Sequence, residues 1–309
     1  MTTLLAYARY PLYIFTSLFT LCSGALYWKQ NEIIYPRFMP PGCREPAGVP
    51  TPDQFGISDW SSPTLITPDG ERLHTFLVQP PRTHPNYGNG RGRVQEEGEK
   101  DGGAEGRGGR GGLVVIMFHG NAGNIGHRLP IAKIIAEQAG VRVFLVEYRG
   151  YGLSTGQPDE EGLVRDAQTA LDWVRQSEEC RGDGVVVYGQ SIGGAVAVRV
   201  VVTNQPNRFG GRGNGGGGDS ESEEEGEGGE IRGLMLENTL TSMRKLIPRE
   251  KRVDGRAEEK TALTRSSALP PAKYLAPLCH QTWKSEEYIP KIRNVPILFL
   301  SGLKDEIIP

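Results

Sequence analysis

The chain has 309 residues, a formal net charge of -2 and 37% hydrophobic residues. A charge this close to neutral gives no basic surface for nucleic acid, so we expect no nucleic-acid partner. The four cysteines are sparse and form no Cys-x-x-Cys pair. We therefore expect neither a disulfide framework nor a zinc site. We expect neither a metal nor a cofactor.

The N-terminal segment carries nineteen uncharged, mostly apolar residues between Arg9 and Lys29. As a helix it would span about 28 Å, close to the hydrocarbon core of a bilayer, and Tyr27-Trp28 suit the interface. We predict that residues 1–29 form a single-pass transmembrane signal anchor in the endoplasmic reticulum or another endomembrane. A signal peptide cleaved near Ser23–Ala25 is the alternative, and the charges do not settle the topology.

After the anchor, the proline-rich residues 30–62 predict an extended stalk along a domain edge. Residues 63–309 then form one domain. Two inserts, at about 82–112 and 205–230, are dominated by glycine and charge and are expected to be disordered surface loops. Oligomeric state is left open.

Short strands and helices alternate through residues 63–309. Pro68-Asp69-Gly70 predicts a hairpin turn between Leu65–Thr67 and Leu73–Val78. The remaining pattern predicts a mostly parallel sheet covered by helices on both faces. The predicted strands are Leu113–Phe118, Val143–Val146, Val185–Tyr188, Leu234–Leu236 and Ile297–Leu300, and the predicted helices include His127–Gln138 and Leu163–Val174.

The sequence Gly189-Gln190-Ser191-Ile192-Gly193 lies between a buried strand and a helix of small residues. A nucleophilic serine on such a sharp turn needs glycine two residues before and after it, to avoid clashes. The following helix directs its N-terminal N–H groups toward the serine. We predict Ser191 as the nucleophile; the alternative is a small residue that allows close helix–strand packing.

A second Gly-x-Ser-x-Gly sequence surrounds Ser154. It lies in a loop several residues after a strand, and Pro158 follows before any helical pattern. This arrangement cannot make the strand–turn–helix of a nucleophile, so Ser154 is interpreted as a loop residue.

The loop after strand Leu113–Phe118 begins His119-Gly120-Asn121-Ala122. Acyl transfer needs two N–H donors aimed at the oxygen of the tetrahedral intermediate. We predict the backbone N–H groups of Ile192 and Asn121, with Ala122 as the alternative to Asn121. The ring of His119 is expected to brace this loop.

The same loop has a weaker interpretation as a dinucleotide site. Gly120, Gly123 and Gly126 follow a strand, and Glu147 lies about twenty residues farther on. The spacing is Gly-x-x-Gly-x-x-Gly, which departs from the dinucleotide pattern, so this interpretation is disfavoured.

Asp305 follows the late strand Ile297–Leu300 and is predicted as the triad acid that orients the base. The alternative for Asp305 is an ordinary turn residue. Glu237, directly after Leu234–Leu236, is the alternative acid.

Five sequence blocks together resemble the α/β-hydrolases of the fungal bud-emergence protein 46 family and the similar animal α/β-hydrolase-domain-containing protein 13. They are HGNAGNIGHRLPIA, YRGYGLSTG, YGQSIGGAVA, LMLENTLTS and LFLSGLKDEIIP. The resemblance covers about residues 30–309 apart from the inserts. It implies an N-terminal signal anchor, an α/β-hydrolase fold and a triad whose serine and aspartate fall on Ser191 and Asp305.

The resemblance also implies a catalytic histidine after the aspartate, but no histidine follows Asp305 in this sequence. His280 precedes the last strand, in a predicted cap over residues 241–288, and is interpreted as structural. We therefore expect a C-terminally truncated α/β-hydrolase fold that is inactive as it stands.

The function predicted is a membrane-anchored serine hydrolase that cleaves an ester, thioester or amide through an acyl-enzyme on Ser191. Its expected partners are the membrane and a small-molecule or acylated substrate. A catalytically inactive membrane scaffold is the alternative.

Overall fold

The computed structural model describes residues 2–86, 112–205, 229–246, 252–253, 256–257 and 278–302. Most of both predicted inserts, most of the predicted cap and Asp305 lie outside the described residues.

The strands and helices of the described residues follow the alternation predicted from the sequence. The strands are β1 (Trp60–Ser61), β2 (Leu65–Ile66), β3 (Arg72–Leu73), β4 (Thr75–Val78), β5 (Leu113–Phe118), β6 (Arg142–Val146), β7 (Gly184–Gln190), β8 (Ile231–Glu237), β9 (Arg252–Val253), β10 (Arg256–Ala257) and β11 (Ile297–Leu300). The helices are α1 (Thr2–Ile34), α2 (Leu129–Ala139), α3 (Glu160–Gln176), α4 (Ile192–Asn204), α5 (Met243–Leu246) and α6 (Ser285–Tyr288).

The main sheet has the order β1-β4-β6-β5-β7-β8-β11 within the described residues. β1 and β4 are antiparallel to their neighbours, whereas β6, β5, β7, β8 and β11 run parallel. The chain enters the parallel part at β5, moves outward to β6, and returns past β5 to β7. Ligands of such sheets bind beyond the carboxyl ends of the strands where this reversal occurs.

Helices cover both faces of the sheet, as predicted. On one face α3 and α4 pack through Leu163, Ala167, Val196 and other buried side chains. On the other face α2 packs through Leu129, Ala132 and Ala136. β5, β6 and β7 lie between these two apolar layers, which is why their sequences read as nearly continuous runs of valine, isoleucine and leucine.

The predicted hairpin is correct in its turn and wrong in its second strand. β2 pairs with β3 around Pro68-Asp69-Gly70, but β4 leaves this hairpin and joins the main sheet. The interruption is at His74, whose N–H donates to the hydroxyl of Ser154 (2.9 Å) while its carbonyl accepts from Glu147 (3.0 Å).

Residues 30–62 differ from the extended stalk predicted for them. α1 continues to Ile34, supported by the ion pair between Lys29 and Glu32 (2.7 Å), and ends just before Pro36, which cannot continue a helix. The segment then folds onto the domain and buries apolar side chains before β1 joins the sheet. These are Tyr35, Cys43, Val49 and Ile57.

In the part of the chain that the structure describes, none of the helices combines the length and apolar character needed to cross a membrane.

Candidate active site

Ser191 occupies the turn between β7 and α4 with φ 54° and ψ -118°. A residue with a side chain rarely adopts positive φ, and such strain is concentrated at functional sites. The backbone holds the turn in place: the Ser191 N–H donates to the carbonyl of Glu237 (2.9 Å), and its carbonyl accepts from the Gly194 N–H (3.0 Å). The serine predicted from the sequence therefore has the strained backbone that a nucleophile at this turn requires.

The two glycines that flank Ser191 are required by close backbone packing. A Cβ on Gly189 would overlap the carbonyl oxygen of Gly193 and lie 2.5 Å from Gly194 Cα. A Cβ on Gly193 would overlap the carbonyl oxygen of Phe118 and lie 2.6 Å from that of His119. The start of α4 is thereby pressed against the end of β5.

This packing brings the His119–Asn124 loop beside Ser191. A Cβ built on Gly120 would lie 3.6 Å from Ser191 Cβ. Ile192 is the first residue of α4, so its N–H has no carbonyl partner within the helix. The loop and the helix start, from which both oxyanion donors are predicted, thus meet at the serine.

The orientation of the Gly120–Asn121 peptide follows from the side chain of His119. His119 Nδ1 lies 2.7 Å from the carbonyl oxygen of Gly120, inside the protein. Because the C=O and N–H of a trans peptide point in opposite directions, the Asn121 N–H is directed away from that ring. The brace expected of His119 is therefore present, and it leaves the Asn121 N–H facing away from the buried side.

The side chain of Asn121 is held at both ends. Its amide group donates to the carbonyl of Ile34, at the end of α1, and its Oδ1 accepts from the Tyr151 hydroxyl (3.0 Å). Tyr151 also donates to the Asn121 carbonyl (3.2 Å), and burial raises the pKa of Tyr151 well above its ordinary value. No sequence pattern assigned this role to Tyr151, although the block YRGYGLSTG contains this residue.

Ser154, in the second Gly-x-Ser-x-Gly sequence, is buried and bonded on both sides. Its hydroxyl donates to the Glu147 carbonyl (3.0 Å) and accepts from the His74 N–H (2.9 Å). These contacts give it the structural role that its loop position suggested.

The dinucleotide interpretation finds no support in this geometry. Gly126 lies against Pro50, since a Cβ there would be 2.5 Å from the Pro50 carbonyl oxygen. The Gly123 N–H donates to the Met39 carbonyl (2.8 Å), and Glu147 accepts from the Ile125 N–H (2.9 Å). The glycine-rich loop is packed against the chain's own residues, which leaves no cradle for a pyrophosphate.

Of the two candidate acids, Asp305 lies outside the described residues. β11 runs parallel to β8, so its carboxyl end lies at the same edge of the sheet as Ser191. The Gly302 N–H donates to Oδ1 of Asn238, the residue directly after β8 (2.9 Å). Gly302, three residues before Asp305 in the sequence, therefore lies at the edge of the sheet where a triad acid is needed.

The alternative acid, Glu237, is the last residue of β8. Its carboxylate accepts hydrogen bonds from the Tyr188 hydroxyl and from Gln190 Nε2 (3.1 Å). Burial, together with this carboxylate, raises the pKa of Tyr188 above its ordinary value. The side chains of β7 hold Glu237 in this position.

Two histidines were given structural roles in the sequence analysis, His119 and His280. His119 Nε2 lies 3.0 Å from Glu147 Oε1. The ring of His280 packs on Tyr27 of α1 with the centroids 5.1 Å apart, and the backbone N–H of His280 donates to Gln30 Oε1 (3.0 Å). His280 thus has the structural contacts expected of it.

Comparison with known sequences identifies relatives along most of the chain. A family model described as serine aminopeptidase, S33, matches residues 112–211. Protein bem46 of Schizosaccharomyces pombe is 34% identical over 289 residues, which is 93% of this chain and 73% of that protein. An uncharacterized membrane protein of Saccharomyces cerevisiae is 30% identical, with 95% and 78% covered. The α/β-hydrolase domain-containing protein WAV2 of Arabidopsis thaliana is 33% identical over 64% of this chain and 54% of its own length.

Solved structures share the fold. An α/β-hydrolase from Vibrio vulnificus matches with a TM-score of 0.56 at 18% identity, covering 90% of this chain and 76% of that one. The esterase Pf2001 of Pyrococcus furiosus matches with a TM-score of 0.50 at 15% identity, covering 84% and 74%. The predicted α/β-hydrolase fold with its mostly parallel sheet is confirmed.

Proposed function

Since this chain belongs to the α/β-hydrolase family that includes protein bem46, we propose that it is a serine hydrolase acting through an acyl-enzyme on Ser191. The substrate is an ester, thioester or amide. The observation that carries the proposal is the backbone of Ser191, strained at φ 54° between β7 and α4 and enclosed by Gly189 and Gly193. A fold maintains such strain only where the surrounding structure over-determines it.

In the proposed reaction the hydroxyl oxygen of Ser191 attacks the substrate carbonyl carbon while a general base takes its proton. The carbonyl oxygen becomes an oxyanion and accepts hydrogen bonds from the N–H groups of Asn121 and Ile192. Collapse of this intermediate breaks the bond to the leaving alcohol, thiol or amine, which receives the proton. Water then repeats the sequence on the acyl-enzyme and releases the acid.

The base in such a triad is an imidazole oriented by a carboxylate, here that of Asp305. The sequence contains no histidine after Asp305, and the ring of His119 is buried between the Gly120 carbonyl and the Glu147 carboxylate. The experiment therefore compares the 309-residue chain with the same chain extended by the final strand and histidine-bearing loop of a related hydrolase.

A fluorophosphonate probe, which reacts only with an activated serine, provides the readout. We expect the extended chain to label and the unextended chain to remain unlabelled, because the serine hydroxyl is a weak nucleophile without its base. Ser191→Ala should abolish labelling of the extended chain, whereas Ser154→Ala should not.

Labelling that survives Ser191→Ala contradicts the proposal. An extended, folded chain that never labels favours the non-catalytic scaffold. Labelling of the unextended chain at Ser191 would identify a base within it, with His280 as the first residue to test.

The proposal also includes attachment to a membrane through α1. Large apolar side chains are exposed around this helix, including Tyr13, Ile14, Phe15, Leu18 and Leu21. Exposed apolar side chains on a helix are stabilised when lipid covers them. The related yeast protein is described as a membrane protein. We propose a single-pass anchor in an endomembrane.

A further inference from the structure

Beside the end of α1 the protein exposes three large apolar side chains together. Phe38 is 61% exposed, Met39 is 60% exposed and Leu153 is 41% exposed. Isolated apolar residues on a surface need no explanation, but a cluster marks a contact surface. We call these three residues, with Arg37 and Arg44, the docking patch.

The two arginines join the members of this docking patch. The Arg44 guanidinium lies 5.5 Å from the centre of the Phe38 ring and donates to the carbonyl of Ser154 (3.2 Å), the residue after Leu153. The Arg37 guanidinium lies 5.0 Å from the same ring. Two fixed positive charges therefore border the exposed apolar side chains.

The docking patch is continuous with the His119–Asn124 loop, which contains the candidate oxyanion donor Asn121. The carbonyl of Met39 accepts from the Gly123 N–H (2.8 Å), and the carbonyl of Ile34 accepts from the Asn121 side chain. Whatever covers the patch therefore lies beside the loop that flanks Ser191.

The apolar part of α1 is close to the same place. Trp28 is 84% exposed and lies six positions before Ile34 in the helix, a rise of about 9 Å. Tryptophan favours the boundary between lipid and water. With Trp28 at that boundary, the docking patch comes within reach of the headgroups.

We infer that the docking patch rests on the surface of an anionic bilayer, with Phe38 and Met39 in the interface and Arg37 and Arg44 on the headgroups. Arginine near a membrane is attracted to anionic lipids, and an aromatic ring gains from leaving water. A second copy of the chain fits less well, since a symmetric contact brings the same arginines toward each other. The inference rests on the proposed function in one respect: it makes the substrate an acyl-bearing amphiphile that enters from the lipid.

The test measures lipid contact at single positions of the full chain. Cys22 and Cys279 are replaced by serine, because both are accessible enough to react with the fluorophore. Cys43 and Cys180 are buried and are retained. A bimane fluorophore is attached to Phe38→Cys or, as the matched control, to Leu113→Cys. Leu113 is an exposed leucine at the opposite end of β5 from the His119 loop. Each protein is reconstituted into vesicles of phosphatidylcholine and phosphatidylserine in equal amounts, with brominated acyl chains as the quencher.

We expect quenching at position 38 to be several-fold greater than at position 113, and to weaken in vesicles of phosphatidylcholine alone. In a further variant the bimane is attached to Met39→Cys and Phe38 is changed to glutamate. Phe38→Glu should reduce the quenching at position 39 to the level measured at position 113. Phe38 is exposed, so this change leaves the packing of the domain intact.

Equal quenching at the two positions, or none at position 38, would overturn the inference. Cross-linking of Phe38→Cys into a dimer would overturn it as well, in favour of a second copy. Fluorophosphonate labelling of Ser191 in the extended chain is scored separately. Labelling without quenching at position 38 rejects the membrane contact and retains the hydrolase. Quenching without labelling retains the contact and rejects the hydrolase.

Discussion

His119 Nε2 lies 3.0 Å from Glu147 Oε1, and neither side chain is exposed to solvent. The two atoms are not aligned as a hydrogen bond. The other nitrogen of the ring contacts the Gly120 carbonyl, and the other carboxylate oxygen accepts from the Ile125 N–H. Glu147, directly after β6, and His119 thus contact both ends of the loop beside Ser191.

The first prediction concerns this brace. In the chain extended with the histidine-bearing segment, His119→Ala removes the group that faces the Gly120 carbonyl and allows that peptide to turn. Loss of one oxyanion donor costs about 10² to 10³ in rate, so labelling of Ser191 should slow by up to that factor. The measurement is the rate of fluorophosphonate labelling at a temperature where both proteins are folded. His280→Ala is the control and should keep the original rate; equal slowing by both changes would refute the brace.

The second prediction concerns the glycines around Ser191. Gly189→Ala or Gly193→Ala places a methyl group against backbone atoms that cannot move aside, so each should lower the free energy of unfolding by about 1–3 kcal/mol or more. Gly233→Ala, on the adjacent strand β8, is the control. Its Cβ would meet Val186 at an ordinary 3.7 Å. Urea denaturation measures the difference, and equal stability of all three variants would contradict the packing described for this turn.

The third prediction concerns the attachment of α1 to the domain. Tyr35 is buried just beyond α1, and its hydroxyl donates to Gln281 Oε1 (2.7 Å) and accepts from Trp283 Nε1 (2.9 Å). Tyr35→Phe leaves the indole N–H without this partner, which costs about 1–3 kcal/mol of unfolding free energy. Tyr27→Phe, at a half-exposed ring, should have little effect. Thermal unfolding compares them, and a Tyr35→Phe protein as stable as the control would show that this contact is dispensable.

The fourth prediction concerns pH. Hydrogen bonds from Arg149, and then from Thr67, hold the pKa of Asp69 well below its ordinary value of 3.8. The folded protein therefore binds fewer protons at this group than the unfolded chain does near pH 4, so stability is present above that pH and falls as the pH decreases.

Asp69→Asn removes this linkage. Its free energy of unfolding should change less than that of the original protein between about pH 5 and about pH 3. Urea titrations at the two pH values measure the change. Asp59→Asn, which removes the partner of the exposed Arg82, is the control and should retain the original acid sensitivity. An Asp69→Asn protein that is equally acid-sensitive would contradict the prediction.

The fifth prediction concerns the anchor. If α1 holds the chain in a bilayer, washing with high salt or with alkaline carbonate should leave the protein in the membrane pellet. Western blotting of pellet and supernatant measures it. Release of an intact chain by carbonate would reject the anchor, and a product beginning near Ala25 or Leu26 would favour the cleaved signal peptide.

The elements that depend on neighbouring residues could be predicted from the sequence. The strand, turn and helix around Ser191 arise within about twenty residues, since glycine spacing and small residues decide whether so sharp a turn can form. The turn at Asp69 and the end of α2 at Gly140, which adopts positive φ, are similarly local. The family resemblance rested on such blocks as well.

The tertiary structure alone decided the contacts between distant segments. Proline-rich residues after Ile34 resemble an extended linker, because neither a helical nor a strand period shows that Tyr35, Cys43 and Val49 are buried. The break at His74 likewise depends on a hydroxyl eighty residues away. No sequence pattern within these segments indicated that Asn121 contacts Ile34 or that Glu147 contacts His119. A side chain's partner across the fold is set by how the sheet orders its strands and by which helices cover its faces, and no single segment of sequence contains that information.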